Sequence, residues 1–379
     1  MDKTPRRAAP SRRALIAMAA ALPGLAQAKG VRPGDAIDSF IRGRMTAKGV
    51  PGAGVAVIRD GRVRKLAAYG KASLEFDVPA RTSTVFPLAS ASKMVTGFVA
   101  GRLAEAGKLD LDGSVRDYLP ELPASIFGEV RIRQMLSHTS GLGSLEDAPG
   151  FAAENADRQM REAYVGDLKL DLFTEQEVLG WAAKVPAIEP PGAKWRYNQL
   201  PYQLFGQVVK RVTGQPFDRY ARQSVLQPLG LGDAVYGDHR TVVPGRTSTN
   251  YTRQFGPLQN YALNYNPIDW PAAGLNASAA DMARFLRGFE PGHLLKDATL
   301  QRLWAPTPLS SGRTVEYGMG FDLEGKGDLH SAGHEGGGCV YVRWWPKSQL
   351  GLAILLNLSG SHEDGIDERL GAMLLANKA

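Results

Sequence analysis

Two residues one helical turn apart, Ser90 and Lys93, carry the strongest chemical signal in the chain, within the run Ser90-Ala91-Ser92-Lys93. Positions i and i+3 share a face at a helix start, so a hydroxyl and an amine placed there can meet. A serine hydroxyl is a weak nucleophile until a base takes its proton. Lysine serves as that base when burial lowers its pKa from about 10.4, and Met94, Val95, Phe98 and Val99 offer the apolar setting. Unpaired backbone N–H groups and the positive dipole end at a helix start favour developing negative charge. The chemistry implied is acyl transfer through a covalent serine intermediate. A Ser-x-x-Lys match arises by chance about once in a chain this long. Taken alone, the pair also reads as a Ser helix cap followed by a solvated lysine.

The elements that must position this pair follow from periodicity and turn chemistry. A helix is predicted over 36–48, then β-rich runs at 52–58 and 63–69 joined by Arg59-Asp60-Gly61-Arg62, a hairpin signal. A second strand pair, 340–345 and 351–358, flanks Pro346-Lys347-Ser348-Gln349, and a last helix covers 366–376. Between these ends, helical patterns occupy 94–106, 174–183, 202–212, 217–225 and 279–289, separated by Gly/Pro-rich turns. Thr174-Glu175-Gln176-Glu177 has the capping-box form. The predicted class is α/β (α+β): an antiparallel sheet built from the two chain ends, flanked by helices, with a mostly helical region inserted. A pocket is expected between the two regions.

Composition narrows the function class. The 379-residue chain is 44% hydrophobic and 22% charged, enough for one large core or two smaller ones. Of the net charge of +7, the leader at 1–28 accounts for five basic residues and one acid, leaving +3 spread without a basic block, which argues against a nucleic-acid partner. Arg12-Arg13 before an apolar run at 14–26, then Ala26-Gln27-Ala28, predicts an export signal at 1–28 and a single catalytic domain at 29–379. The paired arginines fit either a twin-arginine signal or a general secretory one. The expected location is periplasmic or secreted, with no stable membrane anchor after cleavage and an oligomeric state that nothing in the sequence sets. Cys339 is alone, so no internal disulfide forms, and it is expected as a buried strand thiol.

Context decides the reading of Ser90 and Lys93. Phe86-Pro87-Leu88-Ala89-Ser90-Ala91-Ser92-Lys93-Met94-Val95-Thr96 resembles the nucleophile helix of the serine β-lactamase and penicillin-binding protein superfamily, in its class C-related branch. Further stretches resemble the same family in order: Met135-Leu136-Ser137-His138-Thr139-Ser140-Gly141-Leu142, Pro190-Pro191-Gly192 with Trp195-Arg196-Tyr197-Asn198, Gln227-Pro228-Leu229-Gly230, Ala273-Gly274-Leu275, Tyr317-Gly318-Met319-Gly320 and Gly333-His334-Glu335-Gly336-Gly337. The resemblance spans about residues 35–376 and implies the β-lactamase/transpeptidase-like fold. It implies Tyr197 as the proton-sharing tyrosine of a Tyr-x-Asn motif, with Gln199 where asparagine is expected. No Lys-x-Gly occurs in the chain, and the resemblance implies that a His-x-Gly variant, His334-Glu335-Gly336, takes the place of the Lys-Thr-Gly motif. By the same resemblance the Ser90 and Gly337 N–H groups form an oxyanion hole, Gly336 admits substrate backbone, and His334 orients substrate, through a carboxylate when protonated. No metal or organic cofactor is implied; His330 and His334 stand four apart in a Gly-rich run unsuited to a helix. His138 is expected to hold a turn.

No serine has glycine two residues before it, and dinucleotide and P-loop signatures are absent, which removes those enzyme classes. The expected function is an exported hydrolase that cleaves an amide or ester of a small-molecule or peptide substrate, peptidoglycan-derived among the candidates. It would resemble a DD-peptidase, a D-amino-acid amidase or an esterase. The alternatives are a class C-type β-lactamase and a non-hydrolytic penicillin-binding sensor or scaffold. The 143–169 segment is expected to border the cleft as a surface excursion.

Overall fold

The computed structural model describes residues 35–153, 174–237, 248, 250–261, 265–360 and 365–376. The leader read at 1–28 and residues 154–169 of the expected excursion lie outside them. Helix α1 (Ala36–Lys48) is capped by the Asp35 side chain, which accepts from the Asp38 N–H. Strands β1 (Gly52–Arg59) and β2 (Arg62–Ser73) follow, and Asp60 and Gly61 between them both take positive φ. That geometry matches the twist of a two-residue hairpin, and Asp-Gly adopts it readily. After β3 (Val78–Pro79) and β4 (Val85–Pro87), a 3-10 turn, Ala89–Ser92, opens helix α2 (Lys93–Glu105).

The middle of the chain contributes α3 (Glu175–Ala182), α4 (Leu200–Thr213), β5 (Val235–Tyr236), β6 (Leu275–Ser278) and α5 (Ala279–Phe285). Thr174 forms the capping box with Glu177 that its spacing predicted. The predicted helix at 217–225 ends earlier, at Ala221, and continues as a π-turn through Leu226. Strands β7 (Asp322–Glu324), β8 (Ser331–Gly336), β9 (Val340–Trp345) and β10 (Leu350–Leu356) lead to the last helix, α6 (Ile366–Ala376).

Seven strands make one antiparallel sheet, ordered β7-β8-β9-β10-β1-β2-β3. The two chain ends meet at its middle, where β1 pairs with β10 and Val55 lies opposite Ile354. Both strands are buried along almost their whole length, so they read as unbroken apolar runs rather than alternating ones. Alternation along β9 sorts the two faces. Trp344 turns towards Phe289, at 6.1 Å between rings, beyond α5, while the neighbouring Trp345 lies against Gly371 of α6. Gly54 lets α5 close on β1, since a Cβ there would sit 3.1 Å from the Cβ of Ala279. The sheet is thus covered on both faces, as the sequence predicted.

Helix α2 runs through the centre of the molecule, buried nearly all round from Lys93 to Leu103. Its small residues let neighbouring backbone close in. A Cβ on Gly97 would lie 2.4 Å from the Met319 carbonyl, and one on Gly320, at φ 90°, would lie 2.5 Å from the Lys93 carbonyl. The Tyr317–Gly320 segment therefore fixes the start of α2 by direct backbone approach. Cys339 differs in detail from expectation: it is buried, but in the turn between β8 and β9 rather than in a strand.

Candidate active site

Ser90 sits in the 3-10 turn ahead of α2, half-buried, with the first N–H groups of a helix around it. The residue before it, Ala89, takes φ 46°, a conformation that costs a non-glycine residue of order 1–3 kcal/mol. Packing holds it there. The Leu88 N–H donates to the Leu275 carbonyl at 2.8 Å, the Leu275 N–H donates to Ser92 Oγ at 3.1 Å, and Thr96 Oγ1 donates to the Pro271 carbonyl. From the other side, the end of β8 presses on the same turn. A Cβ on Gly336 would sit 2.0 Å from the Leu88 carbonyl, so only glycine fits. Gly337, exposed and at φ 57°, lies beside Ala89.

Lys93 is fully buried, and its Nζ donates to the Ala272 carbonyl at 2.9 Å. Burial pushes its pKa down to about 7, while the carboxylates of Asp322 and Asp269 pull the other way. Its ammonium lies 4.7 Å from the Tyr197 ring centre and 5.2 Å from that of Tyr202. The Tyr197 hydroxyl hydrogen-bonds Ser90, and burial of the phenol raises its pKa even though 40% of the residue is exposed. Ser90, Lys93 and Tyr197, predicted as a set, are brought together.

The loop carrying Tyr197 is held from below. The Arg196 N–H donates to the His138 carbonyl at 2.8 Å, and the Asn198 N–H donates to His138 Nδ1 at 3.2 Å. The His138 ring lies under that of Tyr197 at 4.3 Å. Because Nδ1 accepts, His138 carries its proton on Nε2, and burial drives its pKa well below the usual histidine value. This is the turn-holding role expected of it. Asn198, buried, reaches across with Nδ2 to the carbonyls of Leu142 and Gly143, at 2.9 and 2.8 Å, and accepts the Leu200 N–H on Oδ1. Its neighbour Gln199 is exposed at the N-cap of α4 and makes no side-chain cap bond. The anchoring amide of this loop is therefore Asn198, which the sequence reading had not singled out.

His334 is buried, with 3% exposure, and both ring nitrogens are engaged. A carbonyl can only accept, so Nδ1 donates to the Glu335 carbonyl, and Nε2 accepts from the Tyr317 hydroxyl at 3.0 Å. Burial lowers its pKa against the opposing pull of Asp322, whose carboxylate lies 3.7 Å from Nδ1. The neutral ring aims no N–H into the cleft. The sequence-based picture of a protonated His334 meeting a substrate carboxylate does not match this geometry. His330, at the end of a 3-10 turn, shares no helix with it.

Several contributors had no sequence signal. The Ala272 carbonyl that holds Lys93 is backbone, 179 residues away. Asp269 accepts the Ala272 and Ala273 N–H groups on its carbonyl and Gln203 Nε2 on its carboxylate, at 2.7 Å, so it joins the Lys93 acceptor to α4.

A family model described as Beta-lactamase matches residues 37–377. The chain is 29% identical over 371 residues to Esterase EstB of Burkholderia gladioli, covering 86% of this chain and 90% of that protein. It is 31% identical over 214 residues to N-acetylmuramyl-L-alanine amidase of Bacillus subtilis (strain 168), over 53% of this chain and only 45% of that protein's length. Among solved structures, the octameric penicillin-binding protein homologue from Pyrococcus abyssi has a TM-score of 0.74 at 24% identity, over 90% of this chain and 77% of that one. At such identity the likeness is one of fold.

Proposed function

The chain belongs to the beta-lactamase family of serine hydrolases, and on that premise we propose that it cleaves an amide or ester through an acyl-enzyme on Ser90. The observation that carries this reading is Lys93, fully buried one turn behind Ser90 with a pKa of about 7, beside a tyrosine hydroxyl bonded to the nucleophile. A lysine neutral near pH 7 is a competent base, unlike an exposed one.

In this reading Ser90 Oγ bonds to the acyl carbon while its proton passes by way of the Tyr197 hydroxyl to Lys93. Negative charge on the acyl oxygen rests on the Ser90 and Gly337 N–H groups. The bond to the leaving group then breaks, and Lys93 returns the proton through Tyr197 to the departing oxygen or nitrogen. Water repeats the sequence to release the acid and free Ser90. The esterase and amidase relatives support an amide or ester substrate. Action outside the cytoplasm, on small-molecule or peptidoglycan-derived substrates, is supported by the leader pattern at 1–28.

The test is intact-protein mass spectrometry with a panel of activated esters and D-amino-acid amides. Wild-type protein should gain one acyl mass or turn over the substrate, and Ser90→Ala should do neither. Turnover by Ser90→Ala at the wild-type rate would remove Ser90 from the chemistry.

A further inference from the structure

The segment that carries Tyr197 is tied down along its length. The Ile188 N–H donates to the Gly141 carbonyl at 2.8 Å, the Gly192 N–H to the Thr139 carbonyl at 2.7 Å and the Arg196 N–H to the His138 carbonyl at 2.8 Å. The Ser310 N–H adds a further bond, to the Gly192 carbonyl at 2.9 Å. Along 195–197 the side chains then part. Arg196 turns to Asp147 Oδ2, at 3.8 Å, whereas Trp195 and Tyr197 both lie against His138, at 6.0 and 4.3 Å between rings.

Trp195 therefore stands beside the reacting groups in a fixed position. Its ring centre is 6.2 Å from that of Tyr197 and 6.0 Å from that of Tyr317, whose hydroxyl is bonded to His334. These contacts pack one side of the indole, yet 39% of the residue stays exposed, as does 40% of Tyr197. A lone exposed apolar side chain is ordinary. Here two adjoining aromatic rings are left open together, and the hydroxyl of one is bonded to the nucleophile. They form an apolar surface, built before substrate arrives, next to the bond that breaks.

We infer that Trp195 is a specificity-determining residue that receives the leaving group, so that the preferred substrates carry an aromatic or bulky apolar group on the departing alcohol or amine. The departing atom takes its proton from the Tyr197 hydroxyl, which places it within hydrogen-bond reach of that oxygen, about 2.6–3.2 Å. Whatever is attached to that atom starts beside the Tyr197 ring, and Trp195 is the exposed ring adjoining it. A phenyl ring set two carbons from the departing atom reaches across to the indole; a bare ethyl group falls short. Contact with a ring already held in place costs little ordering, so the apolar area it covers counts almost fully towards binding. The inference rests on Ser90 acylation as proposed above and adds the apolar character of the leaving group.

The experiment uses three esters: ethyl acetate, 2-phenylethyl acetate with the ring on the leaving side, and ethyl 3-phenylpropanoate with the ring on the acyl side. The kcat/KM value reports the steps through acylation, while the leaving group is still attached. The ratio of 2-phenylethyl to ethyl acetate is compared between wild type and variants, which cancels the intrinsic reactivity of the esters. Trp195→Ala should lower that ratio at least about tenfold. Trp195→Phe, which keeps a flat ring, should lower it less than about threefold. Trp195→Leu should lower it at least about threefold, and it carries the test should the alanine variant fail to fold. A ratio unmoved in Trp195→Ala, with both rates falling together, would mean that Trp195 only supports Tyr197 and would overturn the inference. A loss confined to ethyl 3-phenylpropanoate would overturn it too, by placing Trp195 on the acyl side. Either result, with Ser90→Ala inactive on all three esters, leaves the Ser90 reading intact. Cleavage of none of the three by wild type, or of all three by Ser90→Ala, would overturn the Ser90 reading and this inference with it.

Discussion

At the scale of single residues, Lys93 is the group whose environment matters most. Below a pH of about 7 it is charged and cannot take the Ser90 proton, so kcat/KM should rise with pH along an acid limb with an apparent pKa of about 7. A profile flat from pH 5.5 to 8.5, with chemistry rate-limiting, would show that Lys93 is not the base. The same shift has a stability consequence. The unfolded lysine keeps its ordinary value of 10.5, so between about 7 and 10.5 the unfolded chain binds the extra proton. The cost of burying Lys93 is therefore complete below pH 7 and fades as pH rises towards 10.5. Lys93→Met should abolish turnover yet raise stability at pH 6–7 by on the order of a few kcal/mol, the gain shrinking near pH 10. Denaturant midpoints at the two pH values measure this directly. Tyr197→Phe keeps the ring stacked on His138 and removes only the hydroxyl bonded to Ser90. Its kcat should fall by about 10²–10⁴ with little change in melting temperature.

At the scale of elements, the site depends on close backbone approach more than on side-chain reach. Gly336 of β8 and Gly180 of α3 make a matched pair of tests. A Cβ at Gly336 would meet the Leu88 carbonyl at 2.0 Å and the Ala91 N at 3.1 Å, both rigid backbone of the nucleophile turn. Gly336→Ala should lower kcat more than tenfold and destabilise the fold by ~1–3 kcal/mol, as overpacking does. Gly180 is exposed in a helix interior with nothing within 4 Å of its would-be Cβ. Gly180→Ala should leave activity unchanged and stabilise by ~0.5–1 kcal/mol, because it removes backbone freedom from the unfolded chain. Thermal melts and steady-state rates on both variants separate the two cases. Equal effects would mean that the approach of β8 to the turn does not control the site.

At the scale of the whole molecule, the chain closes on itself through a buried ionic cluster. Arg343 of β9, nearly inaccessible, donates to Asp367 Oδ2 at the start of α6, at 2.9 Å, and also pairs with Glu324 of β7. It further donates to the Asp322 backbone carbonyl at 3.4 Å, so the last helix and two strands share one cation. Removing one partner strands the others: Asp367→Ala should cost ~3–5 kcal/mol. Replacing Arg343 and Asp367 together by Met and Leu should recover a large part of that loss. Urea denaturation of the single and double variants tests this, and a double variant no more stable than Asp367→Ala would show that the cluster is not the cause.

Local rules sufficed for much of this protein. The positive-φ hairpin at Asp60-Gly61, the capping box at Thr174 and Glu177, the apolar runs of β1 and β10 and the helix at 36–48 all follow from near neighbours, because propensity, capping and turn geometry act within a few residues. The pairing of Ser90 with Lys93 was legible for the same reason, being one helical turn. What the sequence could not reveal came from contacts between distant segments. The Ala272 carbonyl under Lys93, the His138 ring under Tyr197 and the Asp322 carboxylate facing His334 are joined by folding alone, and two of these lie more than 50 positions from their partners. Residue types at matching positions suggested a histidine ready to meet an acid. Only the packed structure decided that its two nitrogens are occupied, because hydrogen-bond partners and burial, which set charge, are properties of tertiary neighbours.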